Sequence, residues 1–301
     1  MARRSLILAT LLPLIAGHAA ATTLVSTSSR AVGPTPAPRS VFADRLWDDG
    51  KAEYSVYEGT IKRYGTDRSV SAKLIVVKED MDLARRVKSE AGAGTHGTRS
   101  VIKQNFLRDF TTGTYDYHQM SSVFLDRATG ALEKLAMSST EGCGITYVEV
   151  VPRGGSWRHV SHSYWDGEGD RESTIRLPSR HTLAEDALPV WLRRLDLKKA
   201  QSFQVPLLPS QLSGRVQHTE VVQAVIEVIG RADRHGLPVI VKVGGKRAGV
   251  RSDRYWFDPA WPHALTRFAG GADATILERI KTIRLAYWKK TGPGDERLLA
   301  P

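Results

Sequence analysis

The sequence predicts a mainly β protein built on an antiparallel sheet or barrel. Short segments rich in β-branched and aromatic residues follow one another from residue 42 onward. Turn signals that contain glycine separate these segments at close, regular intervals. No helical pattern lies between consecutive segments of the central meander, which excludes a βαβ chain, in which helices connect parallel strands.

Most of the predicted strands lie between residues 54 and 177. They cover 54–64, 70–78, 101–110, 115–126, 132–139, 145–151, 157–165 and 173–177. The stretch 83–97 interrupts the series. Its first half is predicted to form a short helix, and its second half a mobile loop because Gly92, Gly94 and Gly97 lie there.

One helix is predicted near residues 182–199. Thr182 is suited to cap it, and Glu185 stands three residues later, as in a capping box. Pro189 is expected to kink the helix or to start a second segment. The apolar stripe of this helix consists of Leu188, Trp191, Leu192 and Leu195.

The C-terminal third returns to strand patterns. Predicted strands cover 220–231, 238–243, 253–257 and 264–268, and a last one ends at Trp288. Ile276, Ile280 and Ile283 of this last segment fit a helical period, whereas Ile283, Leu285 and Tyr287 fit a strand period. The neighbouring hairpins favour a strand. We therefore predict a single antiparallel β domain over 41–290 and a frayed tail over 291–301.

The N-terminal residues have the three parts of a secretory signal peptide. Arg3 and Arg4 precede an apolar run over 6–15, and Ala19 and Ala21 supply small residues for cleavage. The run is too short to span a bilayer, which takes about 20 residues. We expect residues 1–21 to be removed on export to the periplasm or the extracellular space, and 22–40 to form a flexible linker in a soluble protein.

The chain is basic, with a formal net charge of +11 at pH 7. Such a field attracts anionic lipid headgroups, acidic envelope polymers or nucleic acid. The basic residues are scattered, no nucleic-acid-binding motif is present, and export argues against that partner. We expect no nucleic acid, allow for peripheral contact with a membrane, and leave the oligomeric state open.

Several segments resemble a bacterial exported domain family of unknown function. The resemblance rests on Arg254-Tyr-Trp-Phe-Asp-Pro259, on Leu285-Ala-Tyr-Trp288, on residues 105–117 and on Ser139-Thr-Glu-Gly-Cys-Gly144. It implies a curved antiparallel sheet or half-barrel with one or two helices packed against it, similar to the lipoprotein carriers. Some relatives have the transferred name of septum-formation inhibitors. That name implies a cytoplasmic enzyme, which is inconsistent with a signal peptide.

Cys143 is the candidate nucleophile. Glycines flank it on both sides, an arrangement that leaves a thiol accessible, and His96 is the candidate base. The pair is similar to that of the cysteine transpeptidases of peptidoglycan, but their His-Gly before the cysteine and Arg after it are missing. We favour a structural strand cysteine over a catalytic one.

No pattern in the sequence predicts a metal ion or a cofactor. His159 and His162 would point to opposite faces of a strand, so they could share an ion only at a bulge. Asp166, Glu168 and Asp170 alternate around a turn but lack the remaining ligands of a calcium loop.

A glycine-rich basic segment covers residues 243–249. It is predicted to be a hairpin turn and not a phosphate loop, because neither the strand-to-helix context nor the Ser or Thr after the lysine is present. Lys246, Arg247 and Arg251 are the candidate contacts to an anionic ligand.

These patterns favour a non-enzymatic periplasmic or secreted binding or carrier protein. Its ligand would be an apolar or amphiphilic envelope molecule, because strands 221–229 and 239–243 look apolar on both faces and no catalytic signature is present. The basic charge also allows an anionic ligand. One alternative is a cysteine-dependent envelope enzyme that acts on peptidoglycan or an acyl group. Another is an assembly protein that binds partners at its sheet edge.

Overall fold

The computed structural model describes residues 36–37, 40–91, 94–244 and 251–300. The predicted signal peptide, most of the linker, and Lys246 and Arg247 lie outside the described residues. Within the described part, no helix has the length and apolar character needed to cross a membrane.

The described residues form one sixteen-stranded sheet. Its strands are β1 (Ala52–Arg63), β2 (Thr66–Asp82), β3 (Val87–Lys88), β4 (Thr98–Thr112), β5 (Tyr115–Asp126), β6 (Leu132–Glu141), β7 (Gly144–Arg153), β8 (Ser156–Ser163), β9 (Arg171–Arg176), β10 (Leu183–Ala184), β11 (Gln201–Leu208), β12 (Val222–Val228), β13 (Leu237–Gly244), β14 (Arg251–Phe257), β15 (Leu265–Gly270) and β16 (Thr275–Leu285). The mainly β prediction is therefore confirmed.

Strand β1 lies in the middle of the sheet and divides it into two arms. One arm runs through β2 and β4 to β9, and the other through β16 back to β11 and β10. Every pairing is antiparallel except that of β10 with β11. The sheet does not close, and β9 and β10 are its two ends.

The two arms share one hydrophobic core. Buried residues of both arms, such as Leu135 on β6 and Ile226 on β12, belong to the same contact cluster as the helical segment. A sheet whose distant strands enclose a common core must curve, so the predicted curved sheet or half-barrel is confirmed.

The helical segment lies against this concave face but is shorter than the predicted 182–199. A 3₁₀ turn at Glu185–Ala187, an α-helical turn at Leu188–Trp191 and a 3₁₀ turn at Leu192–Arg194 follow one another directly. Leu188 and Leu192 are fully buried. Arg193 Nη1 and Nη2 donate to the two carboxylate oxygens of Glu53 on β1, at 2.9 and 3.0 Å, which fixes the segment to the middle of the sheet.

The predicted capping box does not form. Thr182 Oγ1 donates to the carbonyl of Ser179 at 2.6 Å, and no side chain caps the first 3₁₀ turn. The carboxylate of Glu185 instead accepts from the backbone of Ser210 and from Arg251. The contact with the Arg251 cation is charge-assisted, so tertiary contacts decide where the Glu185 side chain points.

The short helix expected in 83–97 is also absent. Asp82 Oδ1 accepts from the backbone of Ala84 and Arg85, at 2.9 and 3.0 Å, and this local turn replaces the first helical turn. Arg86 has a positive φ of 54°, and the chain then pairs with β2 as β3. Asp82 therefore holds a turn that reverses the chain.

The two strands that were expected to be apolar on both faces are buried on only one face in the structure. Residues of β12 and β13 alternate between buried positions and half-buried or exposed ones, so one face of each strand packs on the core. Strand β11, which contains Pro206 and pairs with β12, is not among the predictions. The last predicted strand is confirmed as β16, and 3₁₀ turns follow it at Tyr287–Lys289 and Asp295–Leu299.

Candidate functional site

A cavity of about 430 Å³ lies between the concave face and residues 209–221, which we call the strap. The strap connects β11 to β12 without regular secondary structure. The cavity volume is within the range of small-ligand sites, about 300–1,000 Å³. Its apolar wall includes Phe106, Phe110, Leu212, Val222, Leu265 and Phe268.

The first residues of the strap are held by two consecutive buried carboxylates. Ser210 N donates to Glu185 Oε2 at 3.1 Å, and Ser210 Oγ donates to Asp186 Oδ1 at 2.8 Å. Gln211 N donates to Asp186 Oδ2 at 2.8 Å. These three hydrogen bonds anchor the end of the strap that follows β11.

The middle of the strap is fastened to the opposite arm of the sheet. Thr146 Oγ1 on β7 donates to the carbonyl of Gly214 at 2.9 Å. Val216 N donates to Glu168 Oε2 at 3.1 Å, and the Arg215 guanidinium lies 4.1 Å from the centre of the Trp165 ring. These contacts connect the two arms across the cavity.

A buried ion network forms one end of the cavity. Arg251 Nε donates to Asp253 Oδ2 at 2.9 Å, and Arg251 Nη2 donates to Glu185. Asp253 Oδ1 also accepts from Gly271 N at 2.8 Å. Desolvation raises the pKa of Glu185 to about 7, although Arg251 opposes that shift. Desolvation also raises the pKa of Asp186.

Arg108 places a second cation in the cavity wall. Its Nε donates to Gln119 Oε1 and its Nη1 to Asp273 Oδ2, both at 2.6 Å. Its Nη2 donates to the carbonyl of Leu212 on the strap at 3.2 Å. Arg108 therefore connects β5, the β15–β16 hairpin and the strap.

Arg251 is the one predicted anion contact that the structure describes, and it lines the cavity. Its guanidinium is bound by Glu185 and Asp253, so internal carboxylates already occupy its donors. Lys246 and Arg247 lie outside the described residues.

Cys143 and His96 are not brought together. Cys143 is exposed in the β6–β7 turn, at the end of the sheet where Thr112 of β4 pairs with Tyr115. His96 precedes the opposite end of β4, which begins at Thr98. At about 3.3 Å per residue these ends are roughly 45 Å apart along the strand, so the proposed nucleophile and base do not form a catalytic pair.

The histidines of β8 point to opposite faces, as predicted. His159 is buried and desolvation lowers its pKa, whereas the exposed His162 lies with its Nδ1 3.0 Å from Asp170. Among the described residues, no three His, Cys, Asp or Glu side chains are grouped to hold a metal ion. In the acidic turn, Glu168 binds the strap.

Arg63 and Arg108 were missed as candidate residues. The sequence contains a signal for Arg108, because Phe106, Arg108 and Phe110 alternate along β4 and must share one face. A charged residue between two inward aromatic residues indicates a buried polar site. Arg63 lies two residues after the buried Ile61 on β1, so the two side chains share one face of the strand.

No family model matches the chain, and no curated protein matches it. It is similar to the crystal structure of a beta-barrel-like protein of domain of unknown function DUF1849 from Brucella abortus. That match has a TM-score of 0.42 and 10% sequence identity, and covers 78% of this chain and 98% of the other. The barrel-like architecture assigned to this chain rests on its own strand pairing, and the likeness to the lipoprotein carriers stays a prediction.

Proposed function

We propose that this chain is an exported binding or carrier protein that holds an amphiphilic molecule in the cavity under the strap. The observation that carries this proposal is the cavity itself, about 430 Å³ in volume, whose wall combines apolar side chains with charged and polar groups. This combination is typical of small-ligand sites, where apolar area supplies affinity and polar groups orient the ligand.

The strap supports reversible uptake. Its backbone is bound largely by side chains and not by a strand ladder, through Glu185, Asp186, Arg108, Thr146 and Glu168. Segments held this way open at a lower free energy than sheet strands do. A ligand can thus enter without disruption of the sheet.

The cysteine-dependent enzyme has less support. Cys143 is exposed and lies at the other end of β4 from His96, so the residues that such an enzyme would need are apart. The export part of the proposal rests on the signal-peptide pattern of residues 1–21.

Native mass spectrometry with 1-dodecanol tests this proposal. We expect the purified protein either to retain an envelope molecule or to take up one dodecanol per chain. Leu212→Trp should reduce uptake because it fills the cavity from the strap. Ile145→Trp adds the same ring at an exposed position and should not. A chain that retains nothing and takes up nothing would refute the proposal.

A further inference from the structure

The cations that line the cavity differ in how their charge is used. Arg108 forms an ion pair with Asp273, and Arg251 with Glu185 and Asp253. Within the described part of the chain, no carboxylate oxygen lies within 4.0 Å of the Arg63 guanidinium. Arg63 is therefore a cation of the cavity wall whose charge no internal carboxylate neutralises.

Arg63 is held in place by aromatic rings. Its guanidinium carbon lies 4.8 Å from the centre of the Tyr64 ring and 5.1 Å from that of Tyr117. The hydroxyl oxygens of these tyrosines are 2.9 Å apart, so the two rings are connected. The Nε atom of Arg63 is buried without a hydrogen-bond partner. An oriented guanidinium without a carboxylate partner is suited to receive an anion.

Two charged neighbours bear on this site. Lys62 also lines the cavity, and its Nζ is 3.9 Å from Asp67, with both side chains more than half exposed. Such a pair is weak because water screens it, so Lys62 adds positive charge. Glu141 is the competing acid: burial raises the pKa of the Tyr117 phenol most, and the nearby Glu141 carboxylate raises it further.

The carboxylates at the acidic end of the cavity already have hydrogen-bond partners within the fold. Asp186 accepts from Ser210 and Gln211, and Asp253 accepts from Arg251 and Gly271. Glu185 accepts from Ser210 and Arg251. These carboxylates have partners within the fold, so a cationic head group would have to break existing bonds to bind them.

We propose that the cavity selects amphiphiles with an anionic head group, and that Arg63 binds that group while the apolar chain lies against Phe106, Phe110 and Leu212. This inference rests on the proposed function and names its ligand class. It moves the anion contact from Arg251, whose donors are occupied, to Arg63.

Calorimetric titration with three ligands of equal chain length tests the inference. Dodecanoate, 1-dodecanol and dodecylamine are each added at pH 7.5 below the concentration at which they form micelles. We expect dodecanoate to bind about tenfold more tightly than 1-dodecanol, as one charge-assisted hydrogen bond would give. Arg63→Gln should remove that difference, because it should weaken dodecanoate binding by a much larger factor than 1-dodecanol binding.

Three further variants separate recognition from a structural effect. Arg63→Lys keeps the charge and should keep part of the preference. Arg254→Gln removes a positive charge from the exposed side of β14 and should change neither affinity. Glu141→Gln removes the competing carboxylate and should strengthen dodecanoate binding by about threefold.

The possible results distinguish this inference from the proposed function. If 1-dodecanol binds but dodecanoate binds no more tightly, or if Arg63→Gln weakens both equally, the anionic preference is wrong and the binding function stands. Tightest binding of dodecylamine would place the head group at the acidic end and overturn the role of Arg63. If none of the three binds, both proposals fail.

Discussion

The Arg193–Glu53 pair shows what a single buried contact does in this fold. Arg193 is fully buried and Glu53 is 2% exposed. The guanidinium uses a third donor, Nε, on the carbonyl of Pro262 at 2.9 Å. Burying an ion costs free energy unless the ion is paired and hydrogen-bonded. Arg193 and Glu53 are paired with each other through two hydrogen bonds.

Removal of one partner should therefore be severe. We expect Glu53→Gln to lower the free energy of unfolding by about 3–5 kcal/mol, because it leaves the Arg193 charge buried without its counterion. Urea unfolding measures the loss. The double variant Glu53→Leu with Arg193→Met should lose less than the single variant, and an equal or larger loss would contradict this reasoning.

Glu185 makes stability depend on pH. Its pKa in the folded protein is about 7, raised by desolvation from an ordinary value of 4.5. The folded state thus holds this proton more tightly than the unfolded state does. The contribution of this group to stability is complete below pH 4.5 and is lost as pH rises toward 7, by about 3 kcal/mol.

Glu185→Gln should remove this dependence. Free energies of unfolding measured at pH 5, 6, 7 and 8 should fall less with pH in the variant than in the parent chain, because glutamine does not titrate. Glu172→Gln, at an exposed carboxylate on β9, serves as the control and should keep the parent slope. Equal slopes for the parent and Glu185→Gln would exclude Glu185 as the titrating group.

At the scale of elements, the strap depends on side chains of both arms. Glu168→Ala removes the carboxylate that accepts the hydrogen bond from Val216 N. We expect backbone amide hydrogen exchange over residues 209–221 to become about tenfold faster, because one hydrogen bond to a charged acceptor is lost. Hydrogen exchange read by mass spectrometry measures it. Glu172→Ala removes a nearby carboxylate without strap contact and should leave exchange unchanged, and an equal change in both variants would argue against the anchor.

The sequence predicts the strands much better than it predicts the contacts between side chains that are distant along the chain. Alternation and glycine turns are local, so most strands of the two arms were predicted within a few residues. Glu185 was placed in a capping box because its true partners, Ser210 and Arg251, are distant in sequence. The cavity could not be predicted for the same reason, since strands of both arms and the strap form it together.

At the scale of the whole molecule, one core joins strands that lie far apart in the sheet order. Leu135 on β6 and Ile226 on β12 are both fully buried in this core, and each belongs to a different arm. The strap adds polar connections between the arms. A shared core predicts that the two arms unfold together, although the sheet is open.

Leu135→Ala and Ile226→Ala test this cooperativity, one in each arm. Each leaves a cavity in the shared core and should lower the free energy of unfolding by about 2–5 kcal/mol. Calorimetry should show one transition that moves to lower temperature in both variants, and hydrogen exchange should speed up in both arms whichever residue is changed. Two separate transitions, with each variant shifting only one of them, would instead mean that the arms fold independently. The cavity between the arms would then form only after both arms have folded.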